Sequence, residues 1–120
     1  MPTAHRQKFI DHAEHFDALF LELGATRVVE CWGDEVKAGK VTDFRRAVAA
    51  GDDETVVFSW IEWPDKAQRD AAMARMPELM KTDPRWDPAR NPMPFDGQRM
   101  IFGGFVPVVE QGAKPSAAPR

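Results

Sequence analysis

The sequence predicts one α+β domain built from an antiparallel sheet and two main helices. Three observations carry this reading: a first segment whose apolar residues recur with helical period, two later runs that are β-branched and aromatic, and a second helical segment opened by a capping pattern. A chain of 120 residues that is 43% hydrophobic and 29% charged suits a single core. At that length, folding buries roughly two-thirds of the surface of the unfolded chain.

Thr3 is placed to cap the first helix, and Phe9, Ala13, Phe16, Phe20 and Leu23 then recur at spacings of four, three, four and three. Gly24 supplies the left-handed position that ends it. Residues 25–32 form a first strand, closed by Gly33 and Asp34, and residues 55–63 a second. Both strands carry apolar residues on both faces, which predicts that neither face is left to water. The intervening residues 33–54 are too many for a hairpin loop, and a short helix is expected over 44–50 behind Thr42 or Asp43. Pro64 ends the second strand, and Asp65 with Gln68 three residues on opens the second main helix. That helix is expected to break near Met76 because Pro77 cannot donate a hydrogen bond, with a short turn continuing to Thr82. Four prolines make residues 83–96 an extended connector with little regular structure. A last strand is expected over 98–105, with Gly103 and Gly104 marking a bulge or a close backbone approach. The domain is expected to span 1–110, followed by a disordered tail over 111–120.

Helix, strand, strand, helix, strand is a ferredoxin-like βαββαβ order without its first strand. Four stretches strengthen that reading: Arg27-Val-Val-Glu-Cys-Trp-Gly-Asp-Glu-Val36, Gly39-Lys-Val-Thr-Asp-Phe44, Asp53-Glu-Thr-Val-Val-Phe-Ser-Trp-Ile-Glu-Trp-Pro64 and Met93-Pro-Phe-Asp-Gly-Gln-Arg-Met-Ile-Phe-Gly-Gly-Phe105. Together they closely resemble the bacterial family known as domain of unknown function 1428, the YbaA-like proteins, over residues 2–106. The resemblance implies a homodimer in which two ferredoxin-like sheets face each other as a dimeric α/β barrel. It implies no chemistry and no catalytic residues. Relatives begin with an apolar strand leading into the position of Pro2, and the ferredoxin-like order places that strand inside the sheet. The expectation is therefore that about ten further residues precede Met1 in the natural product and form it, or that the dimer has rearranged to fill the gap.

A net charge of -3, with sixteen Lys and Arg scattered among nineteen Asp and Glu, offers no stripe to neutralise phosphates, so no nucleic-acid partner is expected. No apolar run approaches a membrane span or a signal peptide, and a single cysteine excludes an internal disulfide, so a cytoplasmic protein with no membrane partner is expected. No phosphate-cradling glycine loop or catalytic triad order is present, and Asp11 and His15, four apart on one helix face, are too few ligands for a closed metal site, so no cofactor and no metal are expected.

The candidate ligand-binding residues are His12, Trp32, Trp60 and Glu62. His12 flanks the apolar stripe of the first helix, where it faces a cleft between helix and sheet. The four tryptophans, Trp32, Trp60, Trp63 and Trp86, can line an apolar pocket, although packing in the core or a dimer interface is the commoner use of such residues. Glu30 and Glu62 lie in strands beside Trp32 and Trp63, where paired carboxylates can run acid–base chemistry or simply pair with arginines such as Arg27 or Arg99. Cys31 has no basic neighbour and reads as an inert thiol. Two functions follow: a protein that holds a small apolar or amphipathic molecule between sheet and helices, or a cofactor-independent enzyme of the monooxygenase or isomerase kind. Only the fold supports the second.

Overall fold

The periodic apolar stripe of the first segment forms one long helix, as its spacing demands. In this computed structural model, which describes residues 1–112, a single 3₁₀ turn at Thr3–His5 leads into α1 (Arg6–Glu22), with Phe9, Ala13 and Leu19 buried along one side. The Thr3 hydroxyl makes no cap. It bonds the Thr55 hydroxyl at 2.7 Å instead, tying the helix entry to the sheet. Gly24 takes the left-handed conformation expected of it, at φ 104°, and the chain turns into β1 (Arg27–Trp32).

β1 pairs antiparallel with β2 (Val57–Glu62), in a register that sets Arg27 opposite Glu62, Glu30 opposite Ser59 and Trp32 opposite Val57. Between them lies the short α2 (Phe44–Ala47), capped by the Asp43 side chain on the Arg46 amide at 2.8 Å. After Pro64, Asp65 caps α3 (Lys66–Thr82) through the Gln68 amide at 2.8 Å.

α3 does not stop before Pro77. It continues to Thr82, because Met76 and Leu79, on either side of the proline, pack against the core. That packing outweighs one missing backbone bond. The core itself is Leu19 from α1, Leu23 at its C-cap, Ala72 from α3 and Trp86 from the proline-rich connector, flanked by Phe16, Phe20, Trp63, Met76 and Leu79. The connector is thus more ordered than its prolines suggest. Asp83 caps a 3₁₀ turn at Pro84–Trp86, and the indole sits edge-on to Phe16 and Phe20 at 5.8 and 5.6 Å.

The expected last strand does not form in the isolated chain. Gly97–Arg99 is a 3₁₀ turn, and residues 100–112 run on without regular structure, exposed and without ladder partners among the described residues. A strand needs a neighbour to satisfy its amides, and among the described residues none pairs with this segment. The described sheet therefore has two strands, β1 and β2. The α+β class and the antiparallel pairing are as read from the sequence. Most of the tail expected over 111–120 falls outside the described residues.

The two faces of the sheet also differ from expectation. Val28, Glu30 and Trp32 with Val57, Ser59 and Ile61 lie on the face toward α1, where Phe9 meets Trp32 at 5.9 Å. The opposite face carries Val29, Cys31, Phe58 and Trp60 and is open, with Phe58 53% exposed and Phe44 of α2 leaning on it 59% exposed. In a single chain that apolar face has no cover.

Candidate functional site

A cleft opens between α1 and β1 because the side chains there are of unequal length. Ala13 is small, Phe9 and Ile10 are large, and on the strand Glu30 stands between Val28 and Trp32 on the helix-facing side. The cleft measures about 380 Å³ and is lined by Arg6, Phe9, Ile10, Ala13, Glu14, Asp17, Glu30 and Trp32. Its size falls within the range of small-molecule sites, and it is apolar at one end and carboxylate-rich at the other.

The electrostatics centre on Glu30. Burial first, and then the adjacent Asp17 carboxyl, raise its pKa to about 8, opposed by a hydrogen bond from Ser59 across the ladder. Two carboxyls this close share a proton more readily than they ionise together. Near neutral pH Glu30 is therefore a hydrogen-bond donor facing a cleft, with Asp17 as the acceptor beside it. Arg6 lies over the Trp32 ring at 5.9 Å, so the indole face is within reach of a cation.

Of the residues singled out from sequence, Trp32 lies in this cleft. Trp60 and Glu62 lie on the other side of the sheet, where Trp60 Nε1 donates to Glu62 Oε2 at 2.8 Å and Arg27 Nη1 holds the same oxygen at 3.1 Å. The expected pairing of Glu62 with Arg27 is present. Arg99 pairs elsewhere, with Glu54, and Glu30 has a second carboxyl instead of an arginine. His12 is half-buried on α1 against Phe16 at 4.5 Å and edge-on to Phe95 at 6.1 Å. Burial, then the nearby His15, lower its pKa, and it is not part of the cleft lining. The four candidates thus occupy three places.

Sequence reasoning missed Asp17 as Glu30's partner. The signal was present: Ala13 and Asp17 are four apart, so an aspartate shares the face that Ala13 buries. Nothing in one strand and one helix, read separately, sets that face opposite Glu30. Among the described residues no cluster of three or more potential metal ligands occurs, and no helix is long and apolar enough to cross a membrane.

The sequence profile of the family described as "Protein of unknown function (DUF1428)" matches residues 1–97. The proteins described as "Uncharacterized protein YbaA" from Escherichia coli (strain K12) and from Shigella flexneri are each 47% identical over 111 residues, covering 92% of this chain and 92% of the relative.

Proposed function

We propose that this chain, which belongs to the DUF1428 family, binds a small amphipathic molecule in the cleft between α1 and β1. The observation that carries the reading is a proton-holding carboxyl pair, Glu30 with Asp17, set in a cleft whose other wall is Phe9, Ile10 and Trp32. A flat apolar body stacks against the indole, and a hydroxyl or amide at its edge donates to the carboxyl oxygens that the Glu30–Asp17 hydrogen bond leaves free. Thermal-shift titration with small aromatic and quinone-like compounds tests this. Binders should raise the melting temperature of the unaltered chain, and Trp32→Ala and Glu30→Gln should each weaken that shift roughly tenfold in concentration. Shifts unchanged in both variants would place binding elsewhere.

A second reading rests on the same carboxyl pair: proton transfer in an isomerase-like reaction, with Glu30 near the pKa a general acid or base needs. Turnover of any bound compound, lost in Glu30→Gln while binding persists, supports the enzyme. Binding without turnover supports the first reading.

The assembly in this proposal is a homodimer. Phe44, Phe58, Trp60, Val29 and Cys31 form an apolar sheet face too exposed for a chain that works alone, and a second copy of the same face covers it. Two ferredoxin-like halves meeting in this way make a dimeric α/β barrel.

A further inference from the structure

The cleft between α1 and β1 separates its charges along its length. Arg6 and Trp32 lie at one end, with the guanidinium 5.9 Å from the indole centre, and Phe9 meets the same ring at 5.9 Å. Glu14, Asp17 and Glu30 gather at the other. Arg6 and Glu14 are eight residues apart on one helix, which sets their backbones about 12 Å from each other along its axis, and Asp17 lies a turn further on. Among the described residues the lining comes from α1 and β1 alone, so the far edge of β2 has no part in it.

Three carboxyl groups meet at that second end without a cation. Elsewhere in the chain carboxylates find basic partners, as Glu22 does in Arg85, Glu54 in Arg99 and Glu62 in Arg27. Among the described residues no lysine, arginine or amino terminus forms an ion pair with Glu14, Asp17 or Glu30. Arg6, the one basic residue of the lining, stays on the indole instead. Like charges gathered in a half-buried place are unfavourable, and Glu30 relieves this by keeping a proton, with its pKa raised to about 8. A cation from outside relieves the same repulsion, and an ammonium group has three donors to share among the carboxyl oxygens. The apolar wall of Phe9, Ile10 and Trp32 is there to take the rest of such a molecule.

We propose that the molecule this cleft selects is an amphipathic amine, its ammonium held by Glu30, Asp17 and Glu14 and its apolar body laid against Phe9, Ile10 and Trp32. The inference rests on the reading of the cleft as a binding site and adds the charge of the ligand to it. Arg6 fixes the orientation, since an ammonium at the indole end would meet a like charge. No covalent bond forms or breaks. The amine keeps its proton, and Glu30 gives its own to solvent as the cation arrives. The groups that face Glu30 are Asp17, Glu14 and Arg6 from α1 and the Ser59 hydroxyl from β2. His12 also approaches Asp17, but its lowered pKa leaves it neutral above about pH 6.5. Proton and amine compete for the same carboxyls, so the affinity for the amine rises with pH, by up to about tenfold per unit, and levels off above about pH 8.

Isothermal titration calorimetry of the full chain with phenethylamine, phenethyl alcohol and phenylacetate, which share one ring and differ in charge, tests this. The amine should bind at least about tenfold more tightly than either of the others near pH 7.5, and its affinity should rise about five- to tenfold from about pH 6.5 to about pH 7.5. Buffers of different ionisation heat should show close to one proton released per amine bound. Glu30→Gln should abolish both the pH dependence and the proton release, and Asp17→Asn should weaken the amine several-fold more than the alcohol. Both changes keep the size of the side chain, circular dichroism checks their folding, and the comparison of the three probes on the unaltered chain stands without either. Equal or tighter binding of the alcohol or of phenylacetate, lost in Trp32→Ala, would overturn the amine and leave the cleft a site for a neutral or anionic ligand. Amine binding with a flat pH profile, or untouched by Asp17→Asn, would overturn it as well, because the ammonium would then lie away from the carboxyls. Absence of saturable binding by all three at up to about 10 mM would overturn it together with the reading of the cleft.

Discussion

Glu30 shows how a single side chain reports its surroundings. Its residue type and place in a strand could be read from the sequence, but its state could not, because that depends on Asp17 arriving from another element. With a pKa raised to about 8 from an ordinary value of 4.5, the folded chain holds a proton on Glu30 that the unfolded chain has lost across that interval. Stability therefore falls as pH rises between those two values. Glu30→Gln removes the titration, so the native chain should lose a few degrees more in melting temperature between about pH 5 and pH 8 than the variant does. His12 acts with the opposite sign: its lowered pKa makes the unfolded chain bind the extra proton, so its contribution is lost as pH falls. The comparison between native and Glu30→Gln chains cancels it. Gly24 was legible from its position alone. Its φ of 104° strains any side chain, and a methyl group there would push aside the Gln68 amide that donates to the Leu23 carbonyl at 2.7 Å. Gly24→Ala should destabilise the chain by about 1–3 kcal/mol in chemical denaturation.

Elements were read correctly where local signals and tertiary packing agreed, and incorrectly where they competed. The Asp65 cap and the Phe9 to Leu23 stripe are local and hold. Pro77 is a strong local signal, overridden by Met76 and Leu79 on either side of it, and Trp86 packs in the core, the commoner use of a tryptophan, although the proline-rich segment around it gave no periodicity to say so. Asp65→Ala should cost about 1 kcal/mol through loss of the bond to the Gln68 amide. Pro77→Ala should act the other way. It restores one helical hydrogen bond and removes a steric clash without touching the core, so the melting temperature should rise. The last strand failed for a different reason. Residues 98–105 carry strand-forming side chains, yet a strand is a property of two segments, and the sequence of one cannot supply the other.

At the scale of the whole molecule, strands apolar on both faces were the most informative feature of the sequence, and the structure gives only one of those faces a cover. Phe58 and Trp60 meet tilted at 5.9 Å and Phe44 meets Phe58 edge-on at 6.4 Å, so the open face is a run of aromatic rings flanked by Cys31 and Val29. Water against such a surface is unfavourable at about 25 cal/mol per Å², a cost that pairing removes. Charge placed there should prevent it while sparing the fold, because the core of Leu19, Leu23, Ala72 and Trp86 lies elsewhere. Phe58→Asp with Trp60→Arg should therefore give a folded monomer by light scattering at concentrations where the native chain is a dimer. Cys31 provides a second readout from the same face. Pairing shields its thiol, so a disulfide reagent should modify it slowly in the concentrated native chain and at least tenfold faster in the double variant. Equal rates in a native chain that is dimeric would place the interface on another surface, and a native chain that stays monomeric at tens of micromolar would remove the dimer altogether.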